Sequence, residues 1–105
     1  MTERTAELLT AHLFECTRQC RELGYHPNYF EQQLHEVGGL AASRALLRPS
    51  NREGQTGFQR IMDLSRQDLT VEHAVLDERF SALFTQQERD LARWRLENPA
   101  WARGL

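Results

Sequence analysis

Apolar residues at the start of the chain recur at steps of three and four: Ala6, Leu9, Leu13, Cys16, Cys20 and Leu23. That spacing draws one stripe along an α-helix that faces a core, and Gly24 stops it. Tyr25-His26-Pro27 suits a short turn in which Pro27 takes the first helical position, where its missing N–H costs nothing. A second helix is expected through Tyr29, Phe30, Leu34 and Val37. Gly38-Gly39 should break it, because helices commonly end on a left-handed glycine. A third follows through Leu40, Ala41, Ala42, Ala45, Leu46 and Leu47, with small residues that allow another helix to approach closely, and Pro49 ends it.

Residues 49–57 are dense in turn formers and are expected to be a surface loop. Thr56 and Gln59 have the spacing of a capping box, which would launch a fourth helix through Phe58, Ile61, Met62 and Leu64. Thr70 is placed to cap a fifth, carrying Val71, Ala74, Val75 and Leu76, with Phe80, Leu83 and Phe84 in the same helix or a short following one. Thr85 with Glu88 repeats the capping box. Leu91 and Trp94, with Ala92 and Leu96, then form the inner face of a last helix that Asn98-Pro99 closes. Residues 98–105 are a C-terminal tail, and Trp101 should fold back onto the core, since an exposed indole at a free end is unusual. No segment alternates polar and apolar as a strand does, and no internal repeat is present. The fold class is therefore all-α, a compact bundle of five to seven short helices forming one domain over 1–105.

The ordered string Leu23-Gly24-Tyr25, Pro27, Phe30, Gly38-Gly39, Ala42, Leu46-Leu47, Gly57-Phe58, Arg66-Gln67-Asp68-Leu69-Thr70-Val71-Glu72 and Leu83-Phe84-Thr85 with Glu88 resembles a family of small uncharacterised bacterial proteins. It spans residue 23 to about 96. The family reads Leu where Gln67 stands and Leu-Trp where Ile61-Met62 stands, departures that look like surface and packing changes. The resemblance implies a compact helical domain and carries no functional residues over.

Composition changes this picture little. A length of 105 residues allows one core, and 40% hydrophobic with 27% charged residues at a net charge of −2 is an ordinary globular balance, not the signature of disorder. No apolar run approaches the roughly 18 to 20 residues that span a bilayer, and Met1-Thr2-Glu3-Arg4 offers no leader-like start, so a cytoplasmic protein without a membrane partner is expected. Cys16 and Cys20, one helical turn apart, would strain a helix if bridged and are expected as free thiols.

Three constellations invite a chemical reading. His12, Cys16 and Cys20 repeat every four residues along one face and are types that zinc accepts, but His26, His35 and His73 are lone candidates for a fourth ligand. Both cysteines also lie in the apolar stripe, where free Cys behaves as a small hydrophobe; core thiols are expected, with no metal and no cofactor. Asp68 and Glu72 stand four apart at a helix start, where acids are stabilised by the helix dipole, and Asp68 is placed to pair with Arg66. With no nucleophile motif, zinc motif, phosphate loop or dinucleotide fingerprint, catalysis is not expected.

The basic residues are all Arg, thirteen in number, and residues 40–62 carry Arg44, Arg48, Arg52 and Arg60 against the single acid Glu53, so that the middle of the chain is locally +3 between acidic flanks. These four are the candidate anion or nucleic-acid surface, with a helix–turn–helix outline before them. A pI near 6.1 argues against a dedicated nucleic-acid binder. The leading expectation is a non-catalytic helical protein-interaction module that binds a partner protein or a second copy of itself. The alternative is a nucleic-acid accessory protein that uses the Arg surface.

Overall fold

The computed structural model describes residues 2–104, which form α1 (Thr2–Glu22), α2 (Asn28–Leu47), α3 (Arg52–Asp63), α4 (Val71–Leu76) and α5 (Gln86–Glu97). Single turns of 3-10 helix lie at Gln67–Leu69 and Ser81–Leu83, and a longer one at Pro99–Arg103. Among the described residues there is no strand, and no helix is long and apolar enough to cross a membrane. The radius of gyration is 12.6 Å, close to the roughly 13 Å of a folded chain of about 100 residues.

The α1 stripe faces inward as its spacing predicts: Leu9, Leu13, Cys16 and Cys20 are buried, while Leu23, past the end of the helix, is exposed. Gly24, at φ +94°, closes α1 with the Tyr25 N–H donating to the Cys20 carbonyl and its own N–H to the Arg21 carbonyl. Both bonds satisfy carbonyls that the last turn leaves without helical partners. Pro27 stands at the N-cap of α2, one position before the expected first turn.

The break at Gly38-Gly39 is real but small. Gly38 takes φ 81° and ψ 170°, outside helical space, and the chain then resumes as the second half of α2. The freed Gly39 N–H donates to Thr10 Oγ1 of α1 at 2.8 Å, so one helix caps the restart of another. A Cβ at Gly39 would stand 2.9 Å from Thr10 Cα, which is why the two helices can touch here only over glycine.

The expected loop over 49–57 is shorter than its composition suggests, because α3 begins at Arg52. Asn51 is the reason. Its side-chain oxygen accepts from the Gly54 N–H at 3.0 Å and its amide donates to the Ala45 carbonyl at 2.8 Å, which caps α3 and ties it to the end of α2. Gly54 lies inside the helix because α3 presses on α2: a Cβ there would sit 2.5 Å from the Leu46 carbonyl oxygen. The Thr56–Gln59 capping box does not form, and Gln59 bonds Asp63 instead.

Thr70 caps α4 as expected, accepting from the His73 N–H at 3.1 Å. Phe80 and Leu83 follow in a turn and a separate 3-10 segment. The Thr85–Glu88 box forms with both of its bonds. The inner face of α5 differs from the expectation: Trp94 is 51% exposed, while Ala92 is fully buried and Arg95 is 2% exposed. A small residue at 92 lets α5 lie close on its neighbours, and a charged residue three positions on finds buried partners there.

Residues 98–104 fold back as anticipated. The Trp101 ring packs on Phe58 of α3 at 5.3 Å, and Gln55 donates to the Ala102 carbonyl at 3.2 Å.

Candidate functional site

The end of α1, the turn into α2, α3 and the start of α4 enclose a cleft of about 250 Å³. Its floor is made of buried lining residues, among them Cys16, Cys20, Phe58, Leu69 and Val71, and its rim of exposed ones: Tyr29, Glu53, Thr56 and Arg60. The apolar floor follows from the α1 stripe, whose C-terminal half meets α3 and the Gln67–Leu69 turn in a second hydrophobic cluster that Tyr25 and Ile61 flank.

The buried polar side chains of this cleft are already engaged. The Thr17 hydroxyl donates to the Phe14 carbonyl at 2.8 Å, and the Thr70 hydroxyl donates to the Gln67 carbonyl at 2.7 Å while capping α4. Burial pushes the Cys16 thiol up to about 12 and raises Cys20 as well, so both are neutral thiols and weak nucleophiles at physiological pH. Tyr25 is half-buried, and burial raises its phenol. Its hydroxyl lies against α3, 3.3 Å from where a Cβ of Gly57 would stand, and has no hydrogen-bond partner among the described residues. The Arg60 guanidinium lies over the Tyr25 ring, 5.8 Å from its centroid.

Glu72 closes the inner wall. Instead of lying at the surface of a helix start, as its position suggests, it is 3% exposed and its Oε2 accepts from Arg95 at 3.0 Å. Burial raises its carboxyl above the ordinary range, against the opposing pull of Arg95. Arg95 also donates to the Leu46 and Leu47 carbonyls at 3.2 and 3.1 Å and lies 4.1 Å from the Trp101 ring centroid. One buried guanidinium thus joins α2, α4, α5 and the tail behind the cleft. Sequence reasoning missed this pair, and no spacing signal marks it, because its members lie 23 residues apart.

Comparison of the chain with protein-family models, with curated proteins and with solved structures finds no match.

The four arginines of the middle segment have different surroundings. Arg44 is paired with Glu88 at 3.1 Å and also donates to the Leu83 carbonyl at 3.0 Å. Arg60 belongs to the cleft rim. Arg48 and Arg52 are exposed on either side of the α2–α3 turn and have no ion pair among the described residues.

Asp68 pairs with Arg66 at 3.0 Å, as its position suggests, and this lowers its carboxyl. His12 Nε2 stands 3.6 Å from Cys16 Sγ, and no group of three His, Cys, Asp or Glu side chains among the described residues is placed to hold a metal ion.

Proposed function

We propose that this chain is a non-catalytic helical interaction module that binds a partner protein by receiving one of its apolar side chains in the cleft. The observation that carries the reading is the cleft's size and lining together. At about 250 Å³ it exceeds the roughly 150 Å³ that accommodates benzene and falls short of the roughly 300 Å³ at which pockets for drug-sized ligands begin. Its floor is apolar and its rim polar, the layout of a site that anchors a single buried side chain at a protein interface. The buried reactive groups do not favour chemistry: the thiols are held neutral, and Glu72 is held by Arg95.

Gly57 offers the test. A Cβ there would stand 3.3 Å from the Tyr25 hydroxyl, so leucine in its place crowds the cleft wall, and neither Gly57 nor Tyr25 belongs to the main core cluster around Leu9 and Leu13. A partner recovered with the wild-type chain, or a dimer of the chain seen by light scattering, should lose at least tenfold in affinity with Gly57→Leu at unchanged circular dichroism. Retention of full affinity would rule the cleft out as the docking site.

A second reading, a nucleic-acid accessory protein, is favoured by one observation, the exposed and unpaired Arg48 and Arg52 beside the α2–α3 turn. Gel-shift titrations at 50 and about 200 mM salt distinguish the two, since phosphate contacts weaken steeply with salt. This reading expects retention at the lower salt that Arg48→Glu abolishes; no retention at the lower salt rejects it.

A further inference from the structure

We infer that the cleft selects an aromatic side chain bearing a hydrogen-bonding group, a tyrosine or tryptophan of the partner, over an aliphatic one of similar size. The inference rests on the proposed role of the cleft and names its occupant. Three observations lead to it.

The first concerns the buried and half-buried polar side chains, below the exposed rim that His26, Tyr29, Glu53, Thr56 and Arg60 form. The Thr17 and Thr70 hydroxyls are both bonded to backbone carbonyls within the chain, and Glu72 Oε2 is held by Arg95. The Tyr25 hydroxyl, by contrast, faces Gly57 with no protein partner. An aliphatic occupant that covered this hydroxyl would remove it from water with nothing in exchange, at a cost that a hydrogen-bonding occupant avoids.

The second is charge. Glu53 and Arg60 on the rim are of opposite sign, Glu72 and Arg95 neutralise each other at the back, and the two floor thiols are uncharged. Charges that cancel in number over the lining complement a neutral occupant better than a charged one.

The third is shape and lining. A volume between that of a benzene site and that of a drug-sized ligand matches one ring system. Phe58, the Tyr25 ring and the cysteine sulfurs are the polarisable surfaces against which a ring packs best. Tyr29, 45% exposed at the rim, gives the chain on either side of the inserted ring an apolar surface to lie on. A free small molecule would leave that surface uncovered.

The experiment is an NMR titration of the full, isotopically labelled chain with four N-acetyl amides, those of tryptophan, tyrosine, phenylalanine and leucine, and with free indole, following the Tyr25, Gly54 and Gly57 amides. The tryptophan and tyrosine amides are expected to bind about two- to tenfold more tightly than the phenylalanine and leucine amides, the worth of one hydrogen bond. Tyr25→Phe, which removes a hydroxyl with no partner in the fold, should erase that preference while leaving the spectrum of the core unchanged. Equal binding of all four amides, or a preference that survives Tyr25→Phe, overturns the inference and leaves the cleft as an unselective docking site. Indole binding more tightly than the tryptophan amide overturns it in favour of a free aromatic ligand. No shift at the cleft with any probe overturns both the inference and the proposed docking role.

Discussion

Arg95→Ala is expected to destabilise the fold by about 3 to 5 kcal/mol at neutral pH, the cost of leaving one member of a buried ion pair without its partner. The guanidinium is 2% exposed and holds the Glu72 carboxylate, two carbonyls at the end of α2 and one face of Trp101. The surface pairs of this protein, such as Arg18 with Glu15 and Glu22, are of another kind: both partners are about half exposed, and pairs of that sort are worth little.

The loss has a pH signature. Glu72 carries a raised carboxyl pKa in the fold, so its ionisation opposes folding, and that opposition is relieved as the pH falls toward the ordinary value of 4.5. Removing Arg95 takes away the influence that holds the pKa down, so Glu72 is pushed higher still. The deficit of Arg95→Ala relative to wild type should therefore shrink between pH 7 and about pH 5. Urea denaturation at both values checks this, and a deficit under about 1 kcal/mol at pH 7 would show that water reaches the pair. A double change to Glu72→Leu with Arg95→Met, which replaces both charges by apolar volume, should recover most of the loss.

Phe80→Ala is the second large effect, at about 3 to 5 kcal/mol. Phe80 is 1% exposed and is the largest of the fully buried side chains. It belongs to the main core cluster with Leu9, Leu13 and Val75, and the His12 ring stands 5.4 Å from its own. Its backbone is fixed by the turn that follows α4, where the Phe80 N–H donates to the Asp77 carbonyl and Asp77 in turn holds Arg79 at 2.8 Å. A turn so tied gives the surrounding helices little freedom to collapse into the space left, which places the expected cost well above simple transfer. Trp94→Ala is the control: a larger side chain, but half exposed on α5, it should cost much less. A reversal of that order would mean that α5 presents its other face.

Part of the candidate site was legible before the fold was known. The α1 stripe that supplies Cys16 and Cys20, and the Gly24 stop that sets Tyr25 beyond the helix, follow from residue types three and four apart. The Arg44, Arg48, Arg52 and Arg60 group was equally visible as a charge pattern, but charge along a chain does not say which side chains are engaged, and only Arg48 and Arg52 lack an ion or ring partner among the four.

What the sequence alone determined is the set of features that close over a few residues. The caps at Thr70 and Thr85, the end of α1 at Gly24 and the interruption at Gly38 are made by side chains and backbone groups within one turn of each other, so composition and spacing are enough to read them. The tertiary structure decided the rest. Gly54 and Gly57 look like loop residues until α2 and Tyr25 are seen against them, Trp94 looks like core until Arg95 is seen bound to Glu72, Leu46 and Leu47, and the cleft exists only where α1, α3 and α4 meet. Those contacts join residues tens of positions apart, and their energies depend on which faces the packing turns toward one another, a quantity no local pattern encodes.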